Sequence, residues 1–291
     1  MRISRAARAS AIVLGLGLII ASPITTVSAK LATDSSSPAA LTRSVAPSGT
    51  VTDLLPDLRM APLYGIGLVK APNGHIRLRF GTIGWNVGAG PLEADGVKVD
   101  PTDRYMVVRQ RVFESDGSSR TRRTAAVMVY DVGQHHNHYH VVQFMSVQLY
   151  TAGQPGGDVY GLRKIGYCLV DARKMSHPPA AVPPSPVYLS CGDLQSTSVT
   201  MGLDVGWGDD YPPMWEHQWI DVTGIPKGKY RICATVDPLG QFLESNETNN
   251  QRWTDVRIDT STMTVTILDT SAEACGPNVP PAPPAVTSMS H

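Results

Sequence analysis

The densest cluster of potential ligands is Gln134-His135-His136-Asn137-His138-Tyr139-His140. Four of the chain's eight histidines lie between positions 135 and 140. Imidazole binds copper, zinc, nickel and iron. On an extended strand, residues two apart share a face, so His136, His138 and His140 point one way and Asn137 and Tyr139 the other. Reach limits how many can meet. Four residues of strand span about 13 Å, whereas an imidazole and its metal bond extend roughly 6–7 Å from the backbone. Two such histidines bind one ion easily, and the third requires a bend or bulge. The competing reading, an exposed His-rich loop, is weakened by the regular spacing and the hydrophobic segments on either side.

The elements that must position this cluster read as strands. Candidates are Ile76–Phe80, Tyr105–Phe113, Thr124–Asp131, His140–Tyr150, Gly161–Val170, Val199–Val205, Trp215–Val222, Tyr230–Val236, Arg252–Ile258 and Met263–Leu268. They are rich in Val, Ile, Tyr and Thr, and turns of Gly, Pro, Asn or Asp separate them. No stretch holds a helical period. The pattern predicts an all-β fold, a β-sandwich with long loops and little helix. The predicted folded domain covers residues 54–275. Residues 30–53 read as a disordered linker rich in small polar residues, and 276–291 as a disordered Pro-rich tail.

Residues 1–29 read as a signal peptide. Arg2, Arg5 and Arg8 form a basic region, Ala11 to Ala21 an apolar one, and Val27-Ser28-Ala29 a small-residue cleavage site. No twin-arginine pattern is present, so export before folding is expected and any metal is acquired outside the cytoplasm. A hydrophobic fraction of 42% is enough for a core, and 17% charged residues with zero net charge give no field for nucleic acid or an anionic membrane. The local runs Arg77/Arg79 and Arg120/Arg122/Arg123 are read as solvated strand and turn positions. The four cysteines, Cys168, Cys191, Cys233 and Cys275, suggest two disulfides in an exported protein, with three pairings open.

Several segments, in order, resemble the lysyl oxidase family. His136-x-His138-x-His140, with an aromatic before the last histidine, is similar to its copper-binding segment. Arg163-Lys164-Ile165-Gly166-Tyr167-Cys168-Leu169-Val170-Asp171 resembles the segment of its cofactor lysine. Gly208-Asp209-Asp210-Tyr211, leading into Gln218-Trp219-Ile220-Asp221, resembles that of its cofactor tyrosine. Leu55-Pro56-Asp57-Leu58, Leu78-Arg79-Phe80 and Glu244-Ser245-x-x-Thr248-Asn249-Asn250 match its start and end. There are departures. Val129-Tyr130-Asp131 replaces a Trp-rich stretch, Val147 stands where the family has a histidine, and His217, read here as structural, replaces a cysteine of animal members.

The resemblance implies a secreted copper amine oxidase. Copper bound by His136, His138 and His140 would oxidise Tyr211, and Lys164 would add to give lysine tyrosylquinone. A primary amine, either a small amine or a peptidyl lysine, would become an aldehyde, with oxygen consumed and hydrogen peroxide and ammonia released. Such an enzyme needs a carbonyl-bearing cofactor because standard side chains offer no good electrophile. Asp209 matches a family aspartate and is the preferred general base, provided burial raises its pKa; Asp210 is the rival. The resemblance also pairs Cys168 with Cys191, which leaves Cys233 with Cys275. Read without the family, Lys164 is an exposed strand lysine and Tyr211 a loop tyrosine before Pro212-Pro213. Strand parity modifies the first point. If Cys168 and Val170 face inward, so does Lys164, and a buried lysine must be neutralised or paired.

Two other readings compete. Val236-Asp237-Pro238 through Asn250 also looks like Ig-like adhesion sandwiches, which suggests a non-catalytic secreted binding module with a His-rich metal site. A zinc hydrolase would use the histidines but lacks a carboxylate in the manner of HExxH. The sequence leaves the natural amine and the oligomeric state open.

Overall fold

The computed structural model describes residues 50–133, 136–154, 158–178 and 182–276, without the side chains of Leu162 and Lys164. The predicted leader, the linker up to residue 49 and the tail from residue 277 lie outside this description, as do Gln134 and His135. Among the described residues there are sixteen strands and no helix. In chain order they are β1 (Asp53–Leu54), β2 (Leu58–Met60), β3 (Tyr64–Lys70), β4 (Ile76–Asn86), β5 (Leu92–Val97), β6 (Tyr105–Glu114), β7 (Ser119–Asp131) and β8 (His138–Thr151). Then come β9 (Val159–Tyr167), β10 (Arg173–Lys174), β11 (Ser198–Leu203), β12 (Trp207–Tyr211), β13 (Trp219–Asp221), β14 (Gly228–Val236), β15 (Gln251–Asp259) and β16 (Thr264–Ser271).

The strands form two antiparallel sheets. The first runs β11-β5-β6-β7-β8-β14-β15-β16, with β1 added to β6 and β9 to β8. In the second, β4 is the spine: it pairs with β2, β3, β12 and β13, and β10 completes the edge beyond β12. Alternation builds the core. Along β6, Met106, Val108 and Val112 are buried while Tyr105, Val107 and Arg109 are exposed. The buried Gln110 on the same face is satisfied by the backbone, receiving Leu243 N–H at 2.7 Å and donating to Leu243 O at 2.9 Å. The inner faces meet where Phe144, Met145 and Val236 of the first sheet approach Gly84 of the second. A β-sandwich is therefore what the alternating pattern produces.

The arginine runs behave differently from one another. Arg120, Arg122 and Arg123 are exposed on β7, as expected. Arg77 and Arg79 are half-buried instead. Arg77 stacks on the Trp219 ring at 4.0 Å, and Arg79 donates to Pro213 O at 2.7 Å, so this pair secures the β12–β13 connection. Both disulfides take the pairing implied by the family resemblance, Cys168–Cys191 and Cys233–Cys275.

Candidate active site

The histidines are gathered where β7 turns into β8. Asp131 ends β7 opposite His138, and Val129 faces His140 across the same ladder. His138 and His140 therefore share a strand face. His136 precedes the strand, and the bend that brings it in is at Asn137, whose φ of 123° no β-branched residue adopts comfortably. The three ring donors all lie within 4.8 Å of one another. His138 Nε2 is 2.9 Å and His136 Nδ1 3.3 Å from His140 Nε2. Metal–nitrogen bonds of about 2.0–2.1 Å at angles of roughly 90–110° require nitrogens about 2.8–3.4 Å apart; both distances to His140 meet this, and His136 and His138, within 4.8 Å of each other, need only a small ring movement to share an ion with it.

The surroundings of the cluster favour ligation. His140 Nδ1 faces Asp131 Oδ2 at 3.4 Å, which orients the ring and leaves Nε2 for the cluster. The hydrogen bond with His140 holds the Asp131 carboxyl down at about 2 against the opposing effect of burial. Burial, reinforced by His140 and His136, brings His138 down to about 4, so it is a neutral ring with a free lone pair at pH 7. The aromatic Tyr139 points the other way, fully buried in the core.

Tyr211 is not on a loop. It is the last residue of β12, and that strand is held in the second sheet by pairing Asp209 with Gly84 and Tyr211 with Thr82. Gly208 permits this close approach, because a Cβ there would lie 2.5 Å from the Trp85 ring and 2.8 Å from Gly84 O. The Tyr211 ring is only 4% exposed. It stacks on Tyr167 at 3.9 Å between centroids, meets Trp215 edge-on at 5.2 Å and lies 6.4 Å from the His140 ring. Its hydroxyl accepts the Cys168 N–H at 2.9 Å. Burial, then the Asp209 carboxyl, pushes the phenol well above its ordinary range.

Asp209 lies two residues before Tyr211 on β12 and shares its strand face. It is 3% exposed, Oδ2 is buried with no partner among the described residues, and burial raises its carboxyl well above the usual range. Asp210 takes the opposite face, where Tyr64 O–H donates to it and Arg173 pairs with it at 2.6 Å. Of the two aspartates, then, Asp209 has the free carboxylate oxygen.

Lys164 lies in β9, opposite Ser146 of β8, and its side chain is outside the described residues. The condition that Cys168 and Val170 face fully inward is not met. The fully buried positions of β9 are Ile165 and Tyr167, and Cys168 and Val170 beyond it are only half-buried. Val147 sits in the core, and His217 is exposed in a turn with φ of 65°.

A cavity of about 640 Å³ opens onto His136, His138, Asp209 and Tyr211. A sequence profile for lysyl oxidase matches residues 93–267, a stretch that holds every one of these groups. The chain belongs to the lysyl oxidase family.

Lysyl oxidase homolog 1 from Homo sapiens is 30% identical over 118 residues, and so is the protein of that name from Bos taurus. The matched stretch is 40% of this chain but only 18% of the human relative's length and 17% of the bovine one's. This lysyl oxidase domain also brings to the site residues that the sequence alone does not single out. Tyr167, which stacks on Tyr211, lies three positions beyond Lys164, and an aromatic in that segment is the signal that could mark a stacking partner. Asp131 was read as the end of a strand, but an acid just before a His motif is the expected partner for a ligand ring.

Proposed function

We propose that this protein is a secreted copper amine oxidase that oxidatively deaminates primary amines to aldehydes, consuming oxygen and releasing hydrogen peroxide and ammonia. The observation that carries the reading is the placement of Tyr211, a buried phenol, beside three converging imidazoles with Asp209 on its own strand face. His136, His138 and His140 would hold copper. Bound copper supplies the redox chemistry that oxidises the Tyr211 ring, and the lysine tyrosylquinone formed with Lys164 supplies the electrophilic carbonyl that side chains lack.

The remaining work falls to the chain's own residues. Tyr167 and Trp215 fix the plane of the Tyr211 ring, and the Cys168 N–H holds its oxygen. Asp209, as the anion, would take the proton from the carbon that bears the substrate nitrogen. Its raised pKa makes it a stronger base than an exposed carboxylate. The cavity, about 640 Å³, is large enough for a small amine. The apolar leader in the sequence and the two disulfides support export to an oxidising compartment.

Copper loading in air tests the reading. A visible band that phenylhydrazine shifts, together with amine-dependent peroxide, is expected. Copper binding with neither signal would favour the Ig-like binding module.

A further inference from the structure

We infer that the Cys168–Cys191 disulfide is a modification site for low-molecular-weight thiols, which reach it through the cavity and, by opening it, free Tyr211 from its anchor. The two disulfides differ in access. Cys168 is half-buried, and both Cys168 and Cys191 line the cavity beside Asp209 and Tyr211. Cys233 and Cys275 are 1% and 3% exposed, packed with Tyr150 and Trp253 away from the cavity. A small thiol entering the cavity therefore meets the first bridge and is shut out from the second.

The first bridge also stands between two parts of the site. The Cys168 N–H donates to the Tyr211 oxygen at 2.9 Å. The Cys191 carbonyl accepts the Tyr139 N–H at 3.0 Å, and Tyr139 lies between His138 and His140. Leu189, Ser190 and Gly192, on either side of Cys191, form part of the cavity wall and belong to no strand. One covalent bond thus fastens this wall, and the histidine strand behind it, to the residue that holds the phenol. The turns on either side of the wall have anchors of their own. The Asp171 carboxylate accepts the Val187 and Tyr188 N–H groups, and the Asp193 carboxylate accepts those of Gln195 and Ser196. Opening the bridge loosens the wall locally and leaves these turns in place.

The exchange needs only the thiol. Its thiolate attacks the Cys168 sulfur, the more open half, and the Cys191 thiolate leaves. A second thiol then displaces Cys168 from the mixed disulfide. The external thiols give up two electrons and become a disulfide, and the protein takes up the electrons and both protons as two cysteine thiols. Selective exchange stands on the geometry alone, whereas its effect on the quinone rests on the amine oxidase reading.

The test treats the full copper-free chain with 2-mercaptoethanol, quenches it with iodoacetamide without denaturant and maps the alkylated peptides. Cys168 and Cys191 should react at about tenfold lower thiol concentration than Cys233 and Cys275. The near-ultraviolet circular dichroism, which reports the packing of Tyr211 with Tyr167 and Trp215, should change as they react. After removal of the thiol, copper loading in air should give at least about tenfold less of the visible band than in untreated protein, since small misplacements of reacting groups are costly. Reoxidation before alkylation should restore it. The Cys168→Ala/Cys191→Ala double variant should match the reduced protein, which separates the open bridge from the bulk of the alkyl groups. Equal reactivity of all four cysteines, or selective reaction with an unaltered near-ultraviolet spectrum, would overturn the inference. A band of equal strength in oxidised and reduced protein would also remove it and leave the oxidase reading standing. Selective alkylation with a changed spectrum but no band in any sample does the reverse.

Discussion

Asp209 shows how burial at a single residue can be turned into chemistry. Its carboxyl is neutral below its raised folded pKa and anionic above it, and only the anion is a base. The rate of turnover should therefore rise with pH through that raised value, giving an acid limb above the ordinary carboxylate range of about 4. Stability has the opposite sign. The folded state binds a proton more tightly than the unfolded chain, so stability falls as pH rises from the unfolded to the folded pKa. Asp209→Asn should keep the visible band, slow turnover by about 10²–10⁴-fold, abolish the acid limb and leave the melting temperature at neutral pH the same or higher. A variant that loses its band along with its activity would instead make Asp209 a structural residue. The histidines are expected to respond differently. Replacing any one of His136, His138 or His140 by Ala should remove bound copper, measured by metal analysis, and with it the band. Both the His spacing and the carboxylate two residues before Tyr211 could be seen in the sequence. The pairing of Asp210 with Tyr64 and Arg173 could not, because the three residues come from distant segments.

Two elements decide whether those side chains meet. The turn into β8 depends on Asn137 at positive φ. Asn137→Val should strain the turn by about 1–3 kcal/mol and weaken copper binding, while Asn137→Gly should preserve it; equal copper affinity in both variants would refute the bend as the positioning device. The sequence called for such a bend on reach alone, since three histidines on one straight strand cannot share an ion. It did not disclose β12. Trp207-Gly208-Asp209-Asp210-Tyr211 has a glycine and two carboxylates where strands favour branched and aromatic residues. Pairing with β4 makes it a strand, and that partner lies more than a hundred residues upstream. Which face of β9 turns inward was likewise open in the sequence: Ile165 and Tyr167 are the buried positions, with Tyr167 hydrogen-bonded to Thr82 of β4.

Over the whole molecule, many short Val-, Ile-, Tyr- and Thr-rich segments divided by turn residues were enough to reveal a sandwich, and the site is assembled across its two sheets. The histidines and Lys164 ride on the first sheet, and Asp209 and Tyr211 on the second. The disulfides bear on this assembly unequally. Cys233–Cys275 lies in a small separate cluster with Tyr150 and Trp253, whereas Cys168 donates its N–H to Tyr211. Replacing Cys233 and Cys275 by Ser should cost about 2–4 kcal/mol in denaturant unfolding and leave the visible band, while the same change at Cys168 and Cys191 should diminish both. As an amine oxidase, the protein must bring Lys164 and Tyr211 together so that copper-driven oxidation of Tyr211 can join them covalently. Peptide mass mapping of the copper-loaded, air-incubated protein tests it most directly. The account predicts one cross-linked peptide pair containing both residues, absent from copper-free protein and from Lys164→Ala and Tyr211→Phe variants that still bind copper. Recovery of both peptides unmodified after copper loading, with no cross-linked species, would contradict it.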